Sequence, residues 1–204
     1  SSDLPNLTMP RVQVAALEWR RPRAGSELQV FGYGYRDRRR KAAVVDNTGA
    51  LDGPVDITLG TFGGAYARVS ATPHGEWDLV GWVAGQVGRW YGEPHRASSA
   101  TVEAGHHWNH IAARPWVRAG YLFASGDRSE HDGVHGTFFQ MVPSSRQYAL
   151  SSVYAQMNVR DAFAQVVLEP KHLRARVEVH AVSVASGTDL WYHGSGATAS
   201  HDRY

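Results

Sequence analysis

A chain of 204 residues without cysteine has no disulfides, thiolate metal sites or cysteine nucleophile, and its length suits one continuous all-β unit. Its net charge is only +2, yet 19 of its 21 basic residues are arginine, Lys41 and Lys171 being the exceptions, and the guanidinium fork matches carboxylate and phosphate. No apolar run approaches the roughly 18 residues of a membrane helix, so any membrane crossing must be made by strands, which the 21 Gly, 7 Trp and 9 Tyr favour.

Ser1 to Thr8 carry no basic segment followed by an apolar core, so no signal peptide is read there. Period-2 segments follow at Arg11 to Arg20, Glu27 to Arg38, Asp56 to Val69, Glu76 to Tyr91, Ser98 to Trp108 and Pro115 to Ser125. Most are near the roughly 9 to 11 residues of a tilted membrane strand, longer than the about 5 to 6 usual in soluble proteins. In Arg11 to Arg20, Leu17 and Glu18 swap parity. In Glu27 to Arg38, Phe31, Tyr33 and Tyr35 share the parity of Glu27 and Gln29, which predicts a bulge or an aromatic-lined lumen. Of these segments the alternation is best in Pro115 to Ser125 and Ser98 to Trp108. The chain is organised around Asp161 to Ser186, where two runs flank Pro170, Lys171 and His172 as a hairpin: Ala175, Val177, Val179 and Ala181 take one face, Arg174, Arg176, Glu178 and His180 the other. The prediction is an antiparallel up-and-down meander with almost no helix and two unpaired edges.

The connections alternate in length. Those at Arg21 to Ser26, Ser70 to Gly75, Asn109 to Arg114 and Pro170 to His172 are short; those at Arg39 to Val55, Gly92 to Ala97 and Gly126 to Arg160 are longer. Outer-membrane barrels sort their loops in this way, which places the short turns at the periplasmic rim. The cluster Arg36, Arg38, Arg39, Arg40 and Lys41 then lies at the extracellular rim, as a mouth for anions or a bridge to lipopolysaccharide phosphates. Trp77, Trp90, Tyr91, Trp108, Trp116 and Trp191 sit near strand ends and suit interfacial girdles. The connection after Gly126 carries Phe138, Phe139, Met141, Tyr148 and Tyr154, too apolar for water. It is expected to pack on the mouth or fold inward, with Thr137 to Val142 extended.

Three site readings are weighed and set aside. His106, His107 and His110 fall within five residues, but adjacent strand residues point to opposite faces. Asp127, Glu130 and Asp132 offer oxygen ligands for a calcium ion in a glycine-containing loop, the one cofactor the sequence suggests. No serine lies in a nucleophile elbow, so no enzyme is read.

From Arg114 onward the chain carries Arg114-Pro-Trp-Val-Arg-Ala-Gly-Tyr121, Ser125-Gly-Asp127, Asp132-Gly-Val-His-Gly-Thr-Phe-Phe-Gln-Met141 followed by Pro143, and Asp189-Leu-Trp-Tyr192. This region resembles the alginate-export family of Gram-negative outer-membrane proteins. The resemblance implies a barrel of roughly eighteen strands with a water-filled lumen, of which this chain supplies about nine or ten as a single incomplete segment over 1–204. It also implies a porin-like, passive, anion-selective conduit for an anionic polysaccharide such as alginate, surrounded by outer-membrane lipid and lipopolysaccharide, with periplasmic export partners and no nucleic acid. A polyuronate needs guanidiniums along its path, and Arg118, Arg174, Arg176 and His180, with Arg68 and Arg89, are the residues expected to face the lumen. Glu103, Glu169 and Glu178 share that wall and are expected to hold the arginines by ion pairing. The alternative is a soluble or surface β-sandwich that binds glycans, in which the apolar face would meet a second sheet.

Overall fold

The structure is a computed structural model that describes residues 11–40, 54–141 and 154–192, together with the short strand Ala199–Ser200. Eight strands follow in chain order: β1 (Val12–Arg23), β2 (Ser26–Asp37), β3 (Ile57–Thr72), β4 (Gly75–Trp90), β5 (Glu93–His107), β6 (Trp116–Ala124), β7 (Val159–Leu168) and β8 (Ala175–Val184). Each pairs antiparallel with the next, so the sheet runs from β1 to β8 without a crossover, and the described residues contain no helix. β1 and β8 are open edges, as in part of a barrel. The segment expected from Asp189 onward forms a separate two-residue ladder, β9 (Trp191–Tyr192) with β10 (Ala199–Ser200). That ladder is far too small to cover an eight-stranded face, so the described residues hold no second sheet of the kind the sandwich alternative needs.

β3 and β4 are 16 residues each. At about 3.3 Å per residue that is roughly 50 Å of chain, enough to cross a bilayer core at a tilt and project beyond it. The register of β1 against β2 is unbroken, so the parity swap at Leu17 and Glu18 is not a bulge: Glu18 turns inward opposite Phe31, and Leu17 outward. One turn corrects the loop pattern. β4 and β5 are joined by Tyr91 and Gly92 alone, both left-handed at φ 49° and 92°, the geometry that suits the twist of a two-residue hairpin. The stretch expected as an intermediate loop, Gly92 to Ala97, is therefore mostly strand, and loop length does not sort strictly by rim.

The two faces differ sharply. A single register row, Glu18, Phe31, Gly63, Ala84, Ser99, Ala124, Val159 and Val184, crosses all eight strands on the inner face. Phe31, Ala84, Leu122, Ala124 and Val159 cluster there around Phe138, which comes from the connection between β6 and β7. Gly63 is what lets the Phe31 ring lie on the wall, because a Cβ at 63 would stand 2.5 Å from that ring and 2.2 Å from the Val83 carbonyl oxygen. On the outer face the middle of every strand is apolar, aromatic or glycine, and Leu17, Phe62, Val177 and Val179 are all exposed. The strand carboxylates line the inside, while the middle of the outer face is apolar and its arginines stand toward the strand ends, the reverse of a soluble domain. Among the described residues, no helix is long and apolar enough to cross a membrane.

Candidate functional site

Inner-face charge follows from parity. Glu18 on β1, Glu27 and Asp37 on β2, and Glu76 and Asp78 on β4 all stand in inner register rows. So do Glu93 and Glu103 on β5, Asp161 on β7 and Glu178 on β8, which completes the carboxylates borne by these eight strands. Arg20, Arg118 and Arg176 share that face. Within the eight strands the wall is thus predominantly acidic, with nine carboxylates (Glu18, Glu27, Asp37, Glu76, Asp78, Glu93, Glu103, Asp161 and Glu178) against three guanidiniums.

Of the six residues expected in the lumen, Arg118, Arg176 and His180 stand in inner rows, and Arg174, just before β8, shares the parity of the last two. Arg118 is locked: its guanidinium pairs with Asp78 and, at 2.8 Å, with Glu103, and it lies 4.7 Å above the Trp116 ring. Trp116 donates its indole N–H to Asp78 at 2.8 Å, and Gly105 leaves the room that this group fills. Arg118 therefore holds the wall together. Arg174, just before β8, pairs with Glu169 at 3.2 Å, and Arg176 pairs with Glu178. Both stay in reach of water, with side chains 65% and 47% exposed. His180 stacks on Phe163 and places Nδ1 2.8 Å from Asp161 and Nε2 3.4 Å from Glu178. The expected pairing of Glu103, Glu169 and Glu178 with arginine is what the wall contains.

Arg68 and Arg89 are on the other side. Arg68 shares its parity with Phe62 and Tyr66 and bonds Ser70, while Arg89 shares its parity with Val83 and Val87. Both point outward, because on β3 and β4 the inward set is Ala65, Ala67, Gln86 and Trp90. Two of the expected girdle rings turn inward as well: Trp90 is fully buried, and Trp116 belongs to the Arg118 group. Trp77 does face out, over half exposed, with His106 packed between it and Trp108. In the basic cluster, Arg39 closes on buried Asp37 and Arg38 on Asp56; Lys41 lies outside the described residues. The three loop carboxylates do not converge, since Asp132 accepts the Val134 N–H, Glu130 pairs with His131 on the surface, and Asp127 is buried.

Sequence alone left the inward-folded connection without a destination. After β6 the chain turns back over the inner face: His135 bridges to His95 on β5, Phe139 donates its N–H to Gln86 Oε1 and accepts from Gln86 Nε2, and Met141 reaches Thr61 on β3. Phe138 is 4% exposed, which agrees with inward folding, although residues 136–141 take no strand pairing. On the return, Gln156 bonds Ser99 and Tyr154 bonds Asp161. Tyr148 lies outside the described residues.

The family model for alginate export matches residues 11–203. This chain belongs to the alginate-export family. No curated protein and no solved structure matched it. The family is one of transport rather than catalysis, and it places the chain among proteins that export polysaccharide.

In this alginate-export chain the motifs that carried the resemblance meet at one point. Asp189 Oδ2 accepts the Asp127 N–H at 2.7 Å and the Thr137 hydroxyl at 2.6 Å, and Oδ1 accepts the Leu190 N–H and the Tyr192 hydroxyl. Asn158, left-handed at φ 47° and buried, bonds Ser186 and Leu190 beside Gly126, where a Cβ would sit 1.9 Å from the Asn158 amide oxygen. The Ser-Gly-Asp, Gly-Thr-Phe-Phe and Asp-Leu-Trp-Tyr segments thus form a clamp that docks the connection onto the wall. Burial pushes the Asp189 carboxyl up, against the pull of its hydrogen bonds, and burial with the neighbouring Asp189 charge pushes Asp127 up. Burial also pushes the His135 imidazole down to about 3, with His95 adding to the effect.

Proposed function

We propose that this chain forms part of the wall of a porin-like outer-membrane barrel through which an anionic polysaccharide such as alginate passes passively. The observation that carries the barrel reading is the segregation of faces, an apolar outer belt set against an inner wall that bears every strand carboxylate, and the polysaccharide cargo is supported by the family, one of polysaccharide export. Arg174 and Arg176 are the guanidiniums placed to meet the polymer. Their pairs with Glu169 and Glu178 are partly exposed, and such pairs are worth about 1 kcal/mol or less, so a uronate carboxylate can take over from the resident one and then let go. Arg118, held by two carboxylates with its side chain 14% exposed, keeps the wall in shape rather than gripping cargo. The docked connection narrows the path across β3 to β7.

In the intact protein, Arg174→Glu with Arg176→Glu is expected to move the reversal potential in a planar bilayer under a salt gradient toward cation selectivity, with the difference muted at high salt. Unchanged selectivity at low salt would remove this pair from the conduction path.

A further inference from the structure

The outward arginines are not used by a polymer that runs inside. Arg23, Ser26 and Arg68 lie in one register row across β1 to β3, and Arg36, Thr58 and Arg89 in another across β2 to β4. Arg96 on β5 stands two residues from the partner of Arg89. Along β2 and β3 the rows are ten residues apart. That is about 33 Å of strand, which at a tilt of about 40° projects to about 25 Å, the height of the hydrocarbon band around a barrel of this class. Between the rows the outward side chains include Leu28, Val30, Phe62, Tyr66, Val83 and Val87, exposed from 38% at Tyr66 to 63% at Phe62. The arginine rows therefore sit where lipid headgroups begin.

On the long-loop rim Arg36, Arg89 and Arg96 are exposed and form no ion pair among the described residues. No strand carboxylate shares their face. Asp56, at the entrance to β3, is held by Arg38, which also donates to the Thr58 hydroxyl at 3.2 Å. Two strand spacings, about 10 Å, separate Arg36 from Arg89, a gap that flexible guanidinium stems close around phosphate oxygens. Spread-out cations above an apolar band match a headgroup with more than one phosphate and several acyl chains better than one with a single phosphate.

We propose that Arg36, Arg89 and Arg96 bind the phosphates of a phosphorylated glycolipid, lipopolysaccharide, in the leaflet at the long-loop rim, an assignment that rests on the membrane reading above. Its acyl chains lie against Val30, Phe62, Val83 and Val87.

The test is urea unfolding of the intact protein in phosphatidylcholine vesicles, with and without added lipopolysaccharide, because urea leaves the charges unscreened. Lipopolysaccharide is expected to raise the unfolding midpoint of the wild type. The R36Q/R89Q/R96Q variant should unfold at the wild-type midpoint in phosphatidylcholine alone and lose most of that rise. The proposal is overturned if the variant keeps the full rise, or if phosphatidylglycerol or free inorganic phosphate at matched phosphate concentration raises the wild-type midpoint as much. Failure of the wild type to insert into any vesicle would instead remove the membrane reading, and this row with it.

Discussion

Asp189→Ala in the intact protein is expected to undock the inward-folded connection and raise single-channel conductance. The substitution strips acceptors from four donors at once: the Asp127 and Leu190 N–H groups and the Thr137 and Tyr192 hydroxyls. Asp189 is 8% exposed and Thr137 fully buried, so little water can replace the lost carboxylate. A buried donor left unsatisfied costs about 1 to 3 kcal/mol, and the low end of that range for each of the four donors puts about 4 kcal/mol of docking free energy at stake. Amide exchange at Asp127 and Phe138 should accelerate by roughly two to three orders of magnitude, since each 1.4 kcal/mol is about tenfold. Asp189→Asn, which keeps one carbonyl acceptor, should fall between the two. If Asp189→Ala leaves both the exchange rates and the conductance at wild-type values, the clamp does not hold the connection.

Docking is also expected to weaken as the pH falls, through His135. Its ring stacks on Trp90 at 4.6 Å, its Nδ1 meets His95 Nδ1 at 2.7 Å, and its buried Nε2 has no hydrogen-bond partner among the described residues, so a second proton gains nothing from them. Among the described residues, the ring and hydrogen-bond partners of the two imidazoles, Trp90 and Gln86 on β4, carry no negative charge to offset it. The docked imidazole is depressed to about 3, so the undocked segment takes up a proton first. The contribution is complete above pH 6.5 and is lost as the pH falls from there toward 3. The slope is about 1.4 kcal/mol per pH unit, or about 2.7 kcal/mol at pH 4.5. Buried Asp127 and Asp189, whose carboxyls are raised, pull in the opposite direction, so His135→Phe is the necessary comparison. Exchange at Phe138 and Phe139 should accelerate about a hundredfold between pH 6.5 and 4.5 in the wild type, after correction for intrinsic rates, and much less in His135→Phe. Equal pH dependence in both would assign the effect to another group.

The meander was legible because period 2 survives in nearly every strand, and of the two readings open for the parity of Phe31, Tyr33 and Tyr35, a bulge or an inward aromatic stripe, the unbroken register selects the stripe. The faces of Arg68 and Arg89 were misread for a reason visible afterwards. Each shares parity with large apolar neighbours, Tyr66 and Val87, but lies near a strand end, where a lipid-facing strand meets headgroups and admits charge. The early start of β5 was hidden because Pro94 and His95 look like loop. The turn before them is compact only because Tyr91 tolerates a left-handed backbone beside Gly92. The clamp was unreadable in principle, since Asp127, Asn158 and Asp189 lie far apart in sequence and their meeting depends on the three-dimensional path of the connection. The carboxylates of the wall were within reach: Glu18, Asp78 and Asp161 fall on the inner parity as plainly as Arg118 and Arg176 do.

The most direct test of a conduit for anionic polysaccharide is current block. The intact protein in a planar bilayer at low salt should show brief interruptions when oligouronate is added. They should lengthen with oligomer length and shorten as salt rises, while a neutral oligosaccharide of the same length should block far more weakly. Equal block by charged and neutral oligomers, or block that does not respond to salt, would contradict the account.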